Sequence, residues 1–588
     1  MFPKFIFAAL FILFFQPLLA QRLSRDYRVD IVVNQAGYLP QASKLCQTQG
    51  AKERSFKVVD IQTQQVVFSG LMKPVQGDFG AWSTGDFSTV TREGFYYIQA
   101  DTLRSYPFQI GESVYEKPMA LIVEYFSKQR CGGSATGYLS PCHLDDGVRM
   151  DNGKHQNVTG GWHDASDLRK WVGATIYGMV GMGKIFSRNK IQQKEILEEL
   201  KWGNQYFLNM QEPQGYVMSY IGGDVQKHSD SNRWTDNETG EDGGTLQMVK
   251  PNAGNSKNDM LIVGKKDDRV IRTDPLDRMG QFNFITSEAL MAGITKNIDP
   301  PYSAKCLAAA IHCFDWCLKV EDLSNPGIIS ASIQAAIELF KTTGQEKYLI
   351  FAAKKAGDLK KLQVTKEGDP TGFYYHSLKE KEPYKNIWNG CLELIAICDL
   401  ININPTHKDV PAWKEMVKRY AQDYLSPLAG KNSFGIVPFG LFSKIDPGGN
   451  RKIGAYWYRY FMQPEESWWV GINANLASTG IGLLKASQVL GDPHLKVLAQ
   501  RQLDWILGTN PFNSSTLVGI GYQHPKHFPG SSFLPRTPVI PGAVLNGLGG
   551  DHNDQPSIGN GDWQISEYWT PMVAYTLWLM GELREGNP

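Results

Sequence analysis

The sequence predicts a multi-domain chain in which a small β-sandwich precedes an all-α toroid of paired helices. Three observations carry that expectation. The chain has 588 residues, more than one ordinary core organises. Residues 28–111 hold short β-branched runs broken by turn residues at close intervals. From residue 112 onward the apolar spacing becomes helical, in about a dozen segments joined mostly in pairs.

The elements follow in order. Met1 to Ala20 carries Lys4 and then an apolar run from Phe5 to Phe15, which predicts a secretory signal peptide cleaved after Ala20. That run is short for a bilayer span, and no later apolar stretch is long enough for one. The chain is therefore expected to be secreted or periplasmic, with no membrane span. Strands are expected at 29–33, 56–60, 65–68, 94–99 and 105–110. Helices are expected at 114–128, 168–188, 192–211, 281–296, 302–318 and 329–343. Others are expected at 346–362, 385–402, 409–425, 468–490, 493–507 and 571–583. Six helical hairpins of this kind close into an (α/α) barrel. Two long irregular segments, 216–279 and 510–563, interrupt the pattern, and loops of that length in a compact domain usually carry function.

Composition narrows the partners. The hydrophobic fraction is 42% and the charged fraction 20%, which describes an ordered globular chain. Loss of Lys4 with the signal leaves 59 of the 60 basic residues against 59 acidic ones, so nothing attracts nucleic acid or an anionic membrane. Aromatic residues make up 12%, including 15 Trp and 25 Tyr, and their faces can stack on sugar rings as well as fill cores.

The segment Gly160-Gly161-Trp162-His163-Asp164-Ala165-Ser166-Asp167 concentrates the chemistry. Asp164 and Asp167 lie three residues apart behind a glycine turn. Together they could hold and deprotonate one water, as the base side of an inverting glycosidase requires. The alternative is that Asp167 only caps the helix that begins at Leu168. A third carboxylate, Glu567, precedes Thr570-Pro571 among Trp563, Tyr568 and Trp569. An apolar surround keeps a carboxyl protonated, as a general acid needs. Its plainer reading is an acidic residue near a helix N-terminus.

These residues, with Asn34-Gln35-Ala36-Gly37-Tyr38-Leu39-Pro40, Gly508-Thr509-Asn510-Pro511 and Val518-Gly519-Ile520-Gly521-Tyr522, resemble glycoside hydrolase family 9 along the whole mature chain. Ser166 stands where the family signature has Gly. The resemblance implies an immunoglobulin-like domain at 28–111, a six-hairpin barrel at 112–588 and inverting hydrolysis of a β-glucan-type carbohydrate, and the chain is expected to be a monomer. By motif match Asp167 is the base, Asp164 helps hold the water and Glu567 is the acid. His228, Trp234, Trp468, Trp469, Tyr522 and His527 are the candidate sugar contacts, and Tyr456-Trp457-Tyr458 offers further rings. Two departures lie near the cleft. Pro525-Lys526-His527-Phe528 lacks the family's Arg, and Trp569-Thr570-Pro571 replaces its Asn-Ala-Pro group.

Cys131, Cys142, His143 and His163 offer two thiolates and two imidazoles, a tetrahedral zinc set, against a Cys131–Cys142 disulfide as the alternative. Relatives with the same N-terminal domain bind a structural zinc at matching places. Cys313, Cys317, Cys391 and Cys398 read as buried small hydrophobes. The Asp-rich loops offer oxygen for calcium, but Asp145-Asp146 and Asp267-Asp268 lack a recognisable ligand spacing.

The leading expectation is an exported inverting endo-β-glucanase. The alternatives are an exo-acting β-glucosidase or glucosaminidase, a polysaccharide lyase, and a non-catalytic glycan-binding protein.

Overall fold

The computed structural model describes residues 28–133, 136, 138, 142–144, 146–166, 169–187, 189, 192–224, 245–248, 260–263, 269–320, 325–366, 368, 370–445, 451–464, 469–530 and 537–585. The expected signal segment, Asp167, His228, Trp234 and Trp468 lie outside the described residues.

The N-terminal unit is built from β1 (Arg28–Ile31), β2 (Leu45–Gln49), β3 (Arg54–Asp60), β4 (Val66–Gly77), β5 (Gly80–Asp86), β6 (Gly94–Ala100), β7 (Leu103–Ser105) and β8 (Phe108–Ile110). The strands pair in the order β1-β7-β6-β3-β4-β5-β2, with β8 on β6. The long β4 makes the corner. Its first half, to Met72, pairs with β3, and from Lys73 onward it pairs with β5. Alternation does the folding: Phe56 and Val58 of β3 and Tyr96 and Ile98 of β6 turn inward onto Tyr38, Phe87 and Phe108. Strands β2 and β5 were not expected, because Gln, Gly, Ser and Thr dominate both runs.

Among the described residues, twelve helices of nine residues or more build the second unit. They are α1 (Glu116–Lys128), α2 (Val172–Ile185), α3 (Gln193–Asn209), α4 (Arg278–Thr295), α5 (Pro300–Lys319) and α6 (Pro326–Thr343). The rest are α7 (Glu346–Leu362), α8 (Leu392–Ile403), α9 (Val410–Lys418), α10 (Asn473–Leu490), α11 (Pro493–Ile506) and α12 (Thr570–Glu585). Helices α2, α4, α6, α8, α10 and α12 each pack on the next, and α12 returns to α2, so the ring closes. The others lie outside, with α1 set against α12. Apolarity sorts the two layers. The inner α12 is buried at every residue from Thr570 to Leu583. The outer α7 buries Tyr348, Leu349, Ala352, Ala356 and Leu359, a single stripe at helical spacing. Among the described residues no helix is long and apolar enough to cross a membrane.

The inner helices run the same way, so their first turns share one pole. There Asn475, on the first turn of α10, donates its amide to Asn386 O at 2.7 Å, just ahead of α8. At the opposite pole a cavity of about 800 Å³ is floored by two ion-pair chains. One joins Lys184, Glu338 and Lys341; the other joins Asp399, Lys485 and Glu582.

Three departures from expectation affect the pole where the inner helices begin. Segment 216–279 is not simply loop: Met218–Asp224 and Arg269–Pro275 pair antiparallel, with Lys170–Trp171 beside the first and Val148–Arg149 beside the second. Helix α8 begins at Leu392 rather than 385, because Asn386, Asn389 and Gly390 bond outward in a loop. Helix α10 likewise begins at Asn473, not 468.

The two units are bolted at the β4–β5 hairpin. Asp78 accepts hydrogen bonds from the Tyr458 and Tyr460 hydroxyls at 2.7 and 2.9 Å and pairs with Arg451. Phe79 packs its ring 4.6 Å from that of Tyr460.

Candidate active site

Asp164 sits at the pole where the inner helices begin, only 2% exposed, on the loop entering α2. Its carboxylate is held from two sides. Trp171 N–H, at the start of α2, donates to Oδ1 at 3.3 Å, and the Trp569 indole N–H donates to Oδ2 at 2.9 Å. Its carbonyl accepts from both N–H and Oγ1 of Thr570, each at 3.0 Å, so the loop is stitched to the first residue of α12. The glycine entry is required. Gly161 adopts φ 74°, and a Cβ there would meet Tyr206 at 2.8 Å. Trp388 stands edge-on against Trp569 at 4.5 Å.

Glu567 follows a single helical turn, Trp563–Ser566, and is 7% exposed. Its carbonyl accepts from Asn546 N–H at 2.7 Å. Its carboxylate accepts from Ser166 N–H at 3.2 Å and from the Ser166 hydroxyl, both on Oε1. The expected apolar surround is thus only partial. The departure from Gly to Ser at 166 supplies a polar partner that joins Glu567 directly to the loop carrying Asp164.

The metal set also converges. The candidate ligand atoms of Cys131, Cys142, His143 and His163 all lie within 4.8 Å of one another, and all four residues are buried. Cys131 Sγ is 3.4 Å from His143 Nδ1, and Cys142 Sγ is 3.5 Å from His163 Nε2. Tetrahedral ligands about 2.0–2.3 Å from one ion stand at such separations from each other. No disulfide joins Cys131 and Cys142, which goes against the disulfide alternative. Backbone pairing builds the pocket: Cys131 N–H donates to Gly161 O, His163 N–H to Gln129 O, and Gly132 and Cys142 exchange both bonds. His143 takes φ 53°, a left-handed turn that few side chains accept. Burial, and after it the Arg269 guanidinium, push the His143 imidazole down to about 4, so it is the neutral, ligating form. Next to the set, Asp146 is buried between Arg269 at 3.0 Å and Lys170 at 2.8 Å, and these cations overcome burial and hold its carboxyl below the ordinary range.

The expected sugar contacts fall into different environments. His527 is exposed and its Nε2 bonds Thr537 O at 2.8 Å. Trp469 is half-buried, and Gly549 lies so close to its ring that a Cβ would reach 2.7 Å. Tyr522 stacks on Tyr106 of the β domain, ring centres 4.9 Å apart, so that face is already covered. Tyr458 is spent on the Asp78 bolt, and Tyr456 bonds Tyr375 hydroxyl to hydroxyl at 3.1 Å. Ser166, Trp388 and the Trp569 indole were missed as partners. The signal for Trp388 was an aromatic residue flanked by Asn386 and Asn389 at a helix entry.

Comparison with known proteins identifies the family and the fold. The description "Glycosyl hydrolase family 9" matches residues 115–580, and "Cellulase N-terminal ig-like domain" matches residues 26–105. Cellodextrinase of Butyrivibrio fibrisolvens is 30% identical over 531 residues, 84% of this chain and 85% of that protein. Endoglucanase D of Acetivibrio thermocellus is 27% identical over 418 residues, and the match spans 62% of this chain and 61% of that relative. Among solved structures, a thermostable endoglucanase from Alicyclobacillus acidocaldarius superposes with a TM-score of 0.65 at 18% identity, covering 95% of this chain and 99% of that one. A Zn-binding triple mutant of GH family 9 endoglucanase J30 gives 0.66 at 20% identity, covering 93% and 100%. A β-rich immunoglobulin-like domain thus precedes a six-hairpin helical barrel, and the chain belongs to glycosyl hydrolase family 9.

Proposed function

We propose that the protein is an exported inverting hydrolase of β-glucan-type carbohydrate, acting as a monomer. The observation that carries the reading is the fixed Asp164 carboxylate at the pole where the inner helices begin, held by Trp171 and Trp569. Asp164 and Asp167 together orient one water and take its proton. That water attacks the anomeric carbon from the face opposite the departing sugar, and Glu567 protonates the departing oxygen. Inversion follows because the carbon is attacked once. Export rests on the Met1–Ala20 segment. The similarity to an endoglucanase and a cellodextrinase supports a β-linked glucose chain as substrate, and leaves both internal and terminal cleavage within reach.

Cys131, Cys142, His143 and His163 would hold a zinc ion. Bound there, the ion supplies a structural cross-link rather than a reactive centre. His163 is the residue before Asp164, so the chain's own ligands set where the base loop starts.

The Ser166–Glu567 contact favours a second reading of one role. A carboxylate bonded twice to the base loop can act as a tether of that loop, with proton donation falling to another group. Glu567→Gln, assayed on a soluble β-glucan and on a dinitrophenyl β-cellobioside, separates the two. An acid role predicts a loss of about 10²-fold or more on the glucan with the activated aryl substrate largely spared, because that leaving group needs no proton. Equal losses on both substrates, or none, assign Glu567 to the tether. Asp167→Asn should lower both activities by about 10²-fold or more, and a variant with ordinary turnover would remove Asp167 from the mechanism.

A further inference from the structure

Gln35 belongs to the β domain, in the turn after β1, and is 5% exposed. Its backbone N–H and both ends of its side-chain amide are committed to the other unit. Its backbone N–H donates to Leu507 O at 2.8 Å. Nε2 donates to Asn513 O at 2.7 Å and lies 3.2 Å from Asn513 Oδ1, while Oε1 accepts from Tyr522 N–H at 2.7 Å. The neighbouring Asn34 donates to Asp504 Oδ1 at 2.9 Å. The late loop is shaped around this side chain. Gly508 and Gly521 take φ 115° and 102°, and a Cβ on either would come within 2.6 Å of a Gln35 amide atom.

From that loop a run of hydrogen bonds leads to the catalytic segment. Thr516 O accepts from Leu545 N–H at 2.9 Å, and Thr516 Oγ1 accepts from Asn473 at the start of α10 at 2.7 Å. Leu545 bridges Tyr568, and the next residue, Asn546, donates its N–H to Glu567 O. The loop also continues through His524, whose Nδ1 bonds Ser515 O at 2.8 Å, to His527, whose carbonyl lies against Gly561.

We infer that Gln35 is a positioning residue for the reaction: from the β domain it locks the 507–523 loop and, through 544–547, the segment that presents Glu567. The inference rests on the hydrolase reading above. Its physical basis is that a buried amide with three fixed partners holds a loop in one geometry, and small misplacements at a reacting centre cost rate out of proportion to their size. The Asp78 carboxylate joins the same two domains through Tyr458, Tyr460 and Arg451 and touches nothing in 507–523, and its removal leaves the Asp78 carbonyl's bond with Gln555 in place, so it provides the contrast.

The test uses the full chain with Gln35→Leu and Asp78→Ala, each studied at the same interval below its own melting temperature. In Gln35→Leu, amide hydrogen exchange in peptides covering Ser515–Tyr522 and Leu545–Tyr568 should speed up by about tenfold or more. Its kcat/KM on a soluble β-glucan should fall by about tenfold or more. Asp78→Ala should melt lower while keeping both quantities within about twofold of the parent. Unchanged exchange or unchanged kcat/KM in Gln35→Leu overturns the inference. So does a proportional fall in both variants, because Gln35 would then only join domains. If the parent itself hydrolyses no β-glucan, the hydrolase reading falls, while the exchange data still decide whether Gln35 locks the loop.

Discussion

At the scale of single residues, the base side of the site depends on partners far away in sequence. Trp569 meets Asp164 across 405 positions through one indole N–H. Trp569→Phe keeps the ring against Trp388 and removes the donor. It should lower kcat by about 10–100-fold with little change in melting temperature, measured by steady-state kinetics and calorimetry. A variant with unchanged kcat would mean that Asp164 needs no such support. The Gly160–Asp167 motif was legible because its parts are contiguous and its spacing is chemical. The Trp569 bond and the Ser166–Glu567 contact were not, because only folding brings α12's entry onto the loop before α2. Tyr522 and Tyr458 show the limit of reading aromatic residues from sequence. An aromatic residue in a late loop looks the same in sequence whether it faces a sugar or another domain, and both of these face the β domain.

At the scale of elements, helices were legible wherever apolar spacing was regular, and boundaries moved where Asn and Gly bonded outward, as before α8. Strands of the 216–279 segment were hidden because their partners are short and distant in sequence. One helix carries a testable burden. Glu288 on α4 is fully buried beside Asn204, Tyr302 and Cys306, and burial pushes its carboxyl from 4.5 up to about 8. Below pH 4.5 the folded and unfolded chains both carry that proton and the group is neutral to stability. As pH rises toward about 8 the unfolded chain loses the proton first, so stability falls until the folded carboxyl also ionises. Glu288→Gln should therefore melt close to the parent at acid pH and about 3 °C or more above it at alkaline pH. An equal difference at both extremes would contradict this account.

At the scale of the whole molecule, the ring closes when α12 returns to α2, and the loop ahead of α2 is tied to both by Asp164 and Thr570. The Cys131–His163 cluster anchors the other end of that same loop. Metal removal should therefore act on stability and activity together. A strong chelator should lower the melting temperature by about 5 °C or more and abolish most turnover, with zinc restoring both and elemental analysis giving near one equivalent. Insensitivity to chelation, with no zinc bound, would refute the site. Domain order and the dozen helices were legible from composition and period alone. The closure of the ring was legible from the count of paired helices and was also implied by the family resemblance, whereas which side chains meet at the shared pole was not legible in any local pattern.

The most direct test of the central claim is the anomeric form of the first product, followed by proton NMR during hydrolysis of a cello-oligosaccharide. Attack by one water held at Asp164 and Asp167 predicts that the α-anomer appears first and then mutarotates. Initial release of the β-anomer would mean a covalent intermediate and a different use of these carboxylates, and would contradict the mechanism.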